Sequence, residues 1–562
     1  MWASTSIFTQ KYPLGIVRKI VLGVFGLGCF FVPFTPAPSL GADRIAFYYS
    51  AFGEFTISTE SLEIFAKEGR VTKELKFYTS RLSSTQESQL KELLSTRFEL
   101  DPVLVSQFTY TSLGEKVLSR MGKILRNESR QDGMLSLRSA FIIAAAENPG
   151  GITVVDVLKR FPSPTLRINF QESIKAVGEL SELFEQRDKI VAAIAQQSSQ
   201  APKPEGIDFA QLPDLRQPSK YGEVKIEELQ LQDRKRNRSI PVDIYLPQRN
   251  QGRKPDTTPL VVISHGIAGD RRSFAHVGQH LSEYGFAVAV LEHPDDSSGK
   301  FDRFFKGLGG LPDPKRFINR PQEITLLLDE LEQRKQRNPE LFGNINVSEV
   351  GLIGHSMGGY TALALSGADL NLSLLEQKCP ENTSFNVSTL LQCRATELST
   401  PSSNTSISLQ DKRVKAVLAI NPVTSWLLGQ EELSKVKIPA MIIAGKDDIV
   451  SPPIPEQIRP FTWLSSPEKY LVVIKGGTHF SVLNGETLED KTIPVPPGFI
   501  GEQPEIASSH IKALSLAFMG KYLLNERRYA PYVSSAYAQF ISKEPITLSL
   551  VESVVLDQLS DE

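Results

Sequence analysis

Cysteine is scarce in this chain, and motifs that bind metals or nucleotides are missing from it. The sequence has 3 cysteines among 562 residues, and none of them has metal-ligand spacing with another cysteine or a histidine. Neither a Walker loop nor a glycine-rich dinucleotide fingerprint occurs. We therefore expect no metal site, and the sequence gives no support for nucleotide use.

An excess of charge of one sign is also lacking. The chain carries 62 lysines and arginines against 64 acidic residues, which gives a formal net charge of −2 at pH 7. It contains no basic patch of the kind that nucleic-acid binding requires, so we expect no nucleic-acid partner. The length indicates up to about three domains, at about 150 residues each.

A long apolar run occurs once, near the N-terminus. Ile20 to Val32 is shorter than the about 20 residues of a membrane span, and three basic residues precede it while prolines and small residues follow. This pattern predicts a signal peptide over residues 1–41 and a secreted or periplasmic protein. The alternative is an uncleaved N-terminal membrane anchor. Cleavage would remove the three basic residues and change the net charge from −2 to −5.

Two cysteines remain after such cleavage, Cys379 and Cys393. Two cysteines close in sequence in a secreted chain predict one disulfide, the alternative being two free thiols. Both lie in residues 369–411, a segment rich in Ser, Thr and Asn. We interpret this segment as an insertion near the mouth of a site, where it either shapes the substrate entrance or forms a solvated loop.

Apolar spacing divides the rest of the chain into two architectures. Residues 42–197 are predicted to form a mainly helical domain of unknown role, with a strand or hairpin at its start and a long amphipathic helix at its end. A proline-rich linker follows over 198–221. Short apolar strands then alternate with helices over 222–530, which is typical of an α/β domain with a mostly parallel sheet covered on both faces. Residues 531–562 are predicted as a C-terminal tail.

The predicted strands of the second domain include two that could pair antiparallel at its start and buried runs after them. They are Val224–Gln232, Ser239–Leu246, Pro259–Ser264, Ala287–Leu291, Val414–Ile420, Ala440–Ala444 and Tyr470–Ile474.

The strongest catalytic signal is Gly354-His355-Ser356-Met357-Gly358. An apolar strand leads into it and a helix of small residues leads out, which is the context of a strained turn that exposes a nucleophilic serine. Glycines two residues before and after are needed because strand and helix approach too closely for side chains. We predict Ser356 as the nucleophile and the N–H of Met357 as one donor to an oxyanion.

A serine hydroxyl needs a base, and the base needs an orienting carboxylate. Both follow in the order Ser, Asp, His that this turn implies. His479 follows the strand Tyr470–Ile474 and is the predicted base. The acid is Asp447 or Asp448, of which we favour Asp448. The second oxyanion donor is assigned to the N–H of Ile267, in the loop after an earlier strand.

At these residues the chain resembles the α/β-hydrolase superfamily, and more narrowly its dienelactone-hydrolase-like and platelet-activating-factor-acetylhydrolase-like branch. The resemblance covers about residues 222–526 and implies ester hydrolysis without a cofactor. Residues 42–197 resemble an uncharacterised domain found ahead of such hydrolases in cyanobacteria. The stretches that carry the resemblance in the second domain are Ile263-Ser264-His265-Gly266, Asn319-Arg320-Pro321, Gly354-His355-Ser356-Met357-Gly358-Gly359 and Gly477-Thr478-His479.

These features together predict a serine hydrolase of carboxylic esters, including lipid acyl esters, that reacts through an acyl-enzyme. True dienelactone hydrolases use cysteine where this chain has Ser356, which argues against that substrate. Two alternatives stay open: a non-catalytic envelope protein on the same fold, and a peptidase or acyltransferase with the same three residues. Phe301, Phe304 and Phe305 could line an acyl pocket, with the helical domain either covering it as a lid or attaching the enzyme to a partner or membrane surface.

Overall fold

The fold is taken from a computed structural model. It describes residues 41–49, 53–219, 222–249, 257–306, 308–310, 312–380, 386–398, 408–483 and 500–554. The predicted signal peptide lies outside these ranges except for Gly41. Within them, no helix combines the length and the apolar character that crossing a membrane requires.

Helices and a small sheet make up the N-terminal domain. The predicted hairpin is confirmed, because β1 (Arg44–Tyr49) pairs antiparallel with β2 (Gly53–Ser58). Two strands that the sequence did not indicate, β3 (Leu125–Arg126) and β4 (Thr165–Ile168), complete the order β2-β1-β4-β3. The helices of this domain up to residue 159 are α1 (Thr59–Glu68), α2 (Lys73–Thr79), α3 (Ser84–Ser95), α4 (Pro102–Thr109), α5 (Ser112–Ile124), α6 (Met134–Glu147) and α7 (Val154–Lys159).

The long helix α8 (Phe170–Gln200) connects the two domains. Its first part leaves Ile174 56% exposed, whereas Ile190, Val191 and Ile194 are buried in the hydrophobic core of the second domain. The residues predicted as a linker from position 198 therefore begin inside this helix, where a buried serine hydroxyl accepts a hydrogen bond from the N–H of Leu550 at 3.1 Å.

Among the described residues, nine strands form the main sheet in the order β13-β12-β11-β10-β9-β7-β8-β6-β5. The six strands from β12 to β8 in this order are parallel, and β5, β6 and β13 are antiparallel to their neighbours. The predicted antiparallel pair at the start is confirmed by β5 and β6. The strands are β5 (Gly222–Asp233), β6 (Arg238–Arg249), β7 (Thr258–Ser264), β8 (Ala287–Leu291), β9 (Ile345–His355), β10 (Val414–Ile420), β11 (Ala440–Gly445), β12 (Lys469–Lys475) and β13 (Thr547–Val551).

Helices cover both faces of this sheet, and each face has its own hydrophobic cluster. Parallel strands are apolar on both sides because both sides are buried. The α/β class is therefore confirmed. The helices of this domain are α9 (Ala275–Glu283), α10 (Ser298–Phe305), α11 (Arg316–Arg337), α12 (Pro339–Phe342), α13 (Met357–Leu365), α14 (Leu372–Lys378), α15 (Val387–Gln392), α16 (Gly429–Leu433), α17 (Arg459–Trp463), α18 (Pro504–Tyr522) and α19 (Ser535–Ile541).

The segments predicted as a C-terminal tail and as an insertion both form regular secondary structure. The residues predicted as a tail from position 531 supply α19 and the edge strand β13, which pairs with β12. The predicted insertion over 369–411 supplies α14 and α15, and a disulfide joins Cys379 to Cys393 between them. Both segments are thus packed parts of the second domain.

The packing of α8 gives a stability prediction. Ile194→Ala removes a side chain that is 2% exposed, so we expect the free energy of unfolding to fall by about 2–4 kcal/mol. The matched control is Ile174→Ala on the exposed part of the same helix, for which we expect a change within about 0.5 kcal/mol. Urea unfolding of both variants measures this, and equal losses would contradict the assignment of the end of α8 to the core.

Candidate active site

The predicted nucleophile lies on a strained turn between β9 and α13. Ser356 has φ 55° and ψ −118°, a conformation that costs a non-glycine residue free energy. A Cβ on Gly354 would lie 2.0 Å from the carbonyl oxygen of Gly358, and one on Gly358 would lie 2.0 Å from that of Ser264. Gly354 is therefore required for the close approach of β9 and α13, as the sequence indicated, and Gly358 for the approach of α13 to the end of β7.

The structure brings the three predicted side chains into contact. Nε2 of His479 lies 3.1 Å from Oγ of Ser356, and Nδ1 of His479 lies 2.7 Å from Oδ2 of Asp448. All three residues are buried. The distances are those of hydrogen bonds, and the order serine, imidazole, carboxylate is the one that activates a serine for nucleophilic attack.

The choice between the two adjacent aspartates follows from their surroundings. Oδ1 of Asp448 accepts hydrogen bonds from the N–H groups of Val450 at 2.9 Å and Ser451 at 2.7 Å, which holds the carboxylate toward the imidazole. The side chain of Asp447 is 41% exposed and lies 3.4 Å from Arg187 on α8. Asp448 therefore faces His479, and Asp447 faces the helix that links the domains.

Other histidines lie away from the serine hydroxyl or point elsewhere. His276 on α9 is partly buried, and His280 on α9 and His510 on α18 are buried. Desolvation lowers the pKa values of these three histidines to about 3, 4 and 4. His355 directs Nε2 to the carbonyl oxygen of His479 at 3.0 Å. It thus supports the loop that carries the base instead of facing the hydroxyl.

The predicted oxyanion donors flank Ser356. Met357 is the first residue of α13, so its N–H has no acceptor within the helix. Ile267 lines the same cavity as Ser356, in a loop where Ala268 has φ 56°. The position of Ile267 after β7 agrees with a donor role, which stays a prediction.

A cavity of about 280 Å³ opens in front of Ser356 and His479. The N-terminal domain contributes Leu113 to its wall, and the insertion contributes Val387 and Leu391. Three phenylalanines were predicted as candidates to line an acyl pocket. Phe301 lines the cavity and Phe304 is buried. The side chain of Phe305 lies outside the described residues. The cavity is therefore an apolar chamber built by three parts of the chain.

A buried polar network fixes the insertion beside this cavity. Oε2 of Glu456 accepts from the N–H groups of Thr424 at 2.8 Å and Ser425 at 2.9 Å, and Nε2 of Gln392 donates to Oε1 at 2.8 Å. Burial raises the pKa of Glu456. Since Gln392 is the last residue of α15, the network holds the insertion against the second domain. The structure therefore favours an insertion that shapes the substrate entrance over a solvated loop.

A charged cluster behind the Ile267 loop was missed from the sequence. Arg320 donates from Nη2 to the carbonyl oxygen of His265 and to Oγ of Ser264, and from Nη1 to Oδ2 of Asp296 at 2.8 Å. Arg316 donates from Nη1 to the same carboxylate at 3.0 Å. The stretch Asn319-Arg320-Pro321 carries family resemblance, but only the fold reveals that its arginine holds the start of the loop that contains Ile267.

Metal binding has no structural support in the described part of the chain, where no group of three or more His, Cys, Asp or Glu side chains could hold an ion.

Two families match parts of this chain. Residues 41–169 match a family described as an alpha/beta hydrolase of unknown function (DUF1400). Residues 237–338 match platelet-activating factor acetylhydrolase, isoform II. The first match covers the helices α1 to α7 and the small sheet, and the second covers strands β6 to β8 and helices α9 to α11.

Similar curated proteins are ester hydrolases by name. Platelet-activating factor acetylhydrolase of Cavia porcellus is 24% identical over 297 residues, which cover 47% of this chain and 57% of that protein. Cutinase 2 of Thermobifida cellulosilytica is 22% identical over 292 residues, which cover 52% of this chain and 76% of that protein. The chain thus spans little more than half the length of the first of these relatives.

The fold, the turn at Ser356 and these matches define the class of protein. The chain has the α/β-hydrolase fold. Its matches to platelet-activating factor acetylhydrolases agree with the branch that the sequence resemblance indicated.

The two aspartates give a prediction about serine reactivity. In Asp448→Asn the carboxamide cannot stabilise an imidazolium at His479, so we expect Ser356 to react with a fluorophosphonate at least about 10²-fold more slowly. In the control Asp447→Asn, a change within about threefold is expected because that side chain is partly exposed. Gel fluorescence against time measures both rates, and a greater loss in Asp447→Asn would reverse the assignment.

Proposed function

We propose that this protein is a serine hydrolase of carboxylic esters, lipid acyl esters among them. The observation that carries the proposal is the contact chain from Ser356 through His479 to Asp448, with distances of 3.1 and 2.7 Å. The similarity to an acetylhydrolase and to cutinases supports the same chemistry.

The reaction follows from the positions of these groups. His479 takes the proton of Ser356 as the hydroxyl oxygen attacks the ester carbonyl carbon, and Asp448 stabilises the imidazolium that forms. The N–H groups of Met357 and Ile267 hold the developing oxyanion. The imidazolium then protonates the leaving alcohol, and water cleaves the acyl-enzyme by the same route in reverse.

The cavity supports small acyl groups. Its volume of about 280 Å³ is at the lower limit of ligand pockets, which begin at about 300 Å³. Leu113 of the N-terminal domain and Val387 and Leu391 of the insertion form part of its wall, so in this proposal the helical domain is part of the substrate enclosure. A secreted or periplasmic location is part of the proposal, supported by the N-terminal sequence and by the disulfide.

The test is turnover of p-nitrophenyl esters of rising chain length, run beside peptide substrates. We expect hydrolysis of short esters and a loss of about 10⁴-fold or more in Ser356→Ala. Ser348→Ala is the control, since Ser348 is exposed at the opposite end of the same strand. Activity that survives in Ser356→Ala would contradict the proposed nucleophile, and preferential cleavage of peptides would favour a peptidase.

A further inference from the structure

A buried imidazole holds the carbonyl group of Gly266, in the loop after β7. Nδ1 of His265 lies 2.6 Å from this oxygen, and the N–H of Gly269 donates to the same oxygen at 3.3 Å. His265 is 0% exposed, and Ala268 closes the turn between the two glycines with φ 56°. Contacts from two sides therefore fix the direction of the Gly266 carbonyl.

The contacts of His265 determine which of its ring nitrogens carries the hydrogen. The backbone N–H of His293 donates to Nε2 of His265 at 3.0 Å, so Nε2 is an acceptor. Burial and the neighbouring Arg320 lower the pKa of His265 to about 4, and the imidazole is thus neutral at pH 7. Because a neutral imidazole has one donor and one acceptor nitrogen, Nδ1 carries the hydrogen and donates it to the oxygen of Gly266.

His293 is itself held at both ring nitrogens. Its Nδ1 lies 2.7 Å from Oε2 of Glu323, and its Nε2 lies 2.9 Å from Oγ of Ser264. Arg320 donates to the same hydroxyl oxygen at 3.1 Å, which leaves the hydroxyl proton of Ser264 for Nε2 of His293. The backbone N–H that His265 accepts is therefore part of a buried, connected network.

The direction of the Gly266 carbonyl also sets the direction of the N–H of Ile267, because both belong to one peptide group. In a planar trans peptide the C=O and the N–H point in opposite directions, so this N–H points away from the ring of His265. It has no acceptor among the described residues. Gly266 and Ile267 line the cavity, and a Cβ built on Gly266 would lie 3.2 Å from Cβ of Ser356. The N–H of Ile267 is thus an unused donor beside the nucleophile.

We propose that the Nδ1–H of His265 holds the peptide group before Ile267 so that its N–H meets the oxyanion formed when Ser356 attacks an ester. His265 is then a positioning residue, which acts through Ile267 and does not touch the substrate. The inference rests on the proposed function. A donor that is fixed in advance stabilises the oxyanion without reorganisation during the reaction.

Two amide substitutions separate the roles of the two ring nitrogens. The side-chain amide of His265→Asn lies near the position of Nδ1 and can still donate to the Gly266 carbonyl, whereas that of His265→Gln lies near the position of Nε2 and cannot. The readout is kcat/KM for p-nitrophenyl acetate divided by kcat/KM for its thiono analogue, in which sulfur replaces the carbonyl oxygen. Sulfur is larger than oxygen and a weaker hydrogen-bond acceptor, so this oxygen-to-sulfur ratio reports on the oxyanion donors.

For His265→Gln we expect kcat for the oxygen ester to fall about 10- to 100-fold with KM little changed, and the oxygen-to-sulfur ratio to fall about tenfold. His265→Asn should keep this ratio within about threefold of the wild type. The control His280→Asn removes a buried imidazole hydrogen bond of the same kind, to the carbonyl oxygen of Leu215 at 2.9 Å. It should lower the free energy of unfolding and leave the ratio unchanged.

An unchanged ratio in His265→Gln, or a loss in His265→Asn as large as that in His265→Gln, would overturn the inference and leave the esterase proposal intact.

A second measurement needs neither turnover nor a variant. A neutron crystal structure of the deuterated wild-type protein locates the hydrogens of His265, and we expect deuterium on Nδ1 and none on Nε2. If the wild type hydrolyses neither ester, the proposed function fails, while deuterium on Nδ1 still supports the positioning of the Ile267 N–H. Deuterium on Nε2 would overturn the inference, whatever the esters show.

Discussion

The left-handed backbone at Ser356 is the constraint on which the rest of this structure depends. A serine with φ 55° is unfavourable on its own. It persists because the sheet fixes β9 and because glycines allow α13 to approach β9 and β7 closely. The parallel order of β9, β10, β11 and β12 then brings the ends of three strands to one edge. Ser356, Asp448 and His479 meet there although they are far apart in sequence.

Around this edge, segments outside the central sheet complete the site. The insertion supplies part of the cavity wall and is fixed by a disulfide and by the Glu456 network. The N-terminal domain supplies Leu113 and, through α8, packs apolar side chains into the core of the second domain. The helical domain therefore contributes to the cavity wall, which supports the proposal that it is part of the substrate enclosure more than simple attachment.

How much of this was predictable from sequence depended on whether the signal was local. The turn at Ser356 could be recognised because glycine spacing and flanking periodicity lie within a few residues, and the α/β class followed from repeated buried strands. The sequence favoured Asp448 over Asp447, but the physical distinction is visible only in the fold, where backbone N–H groups of the next loop bind Asp448 and Asp447 lies beside Arg187. Strand β13 and the pairing of Arg316 and Arg320 with Asp296 could not be found, because each depends on contacts between distant segments.

The most direct test of the central claim is to map the serine that reacts with a fluorophosphonate in the native protein. The account predicts one adduct, located by tandem mass spectrometry on the peptide that contains Ser356, and no adduct after denaturation. Absence of labelling in the folded protein, or an adduct on another serine while Ser356 stays unmodified, would contradict the claim that these three side chains make Ser356 a nucleophile.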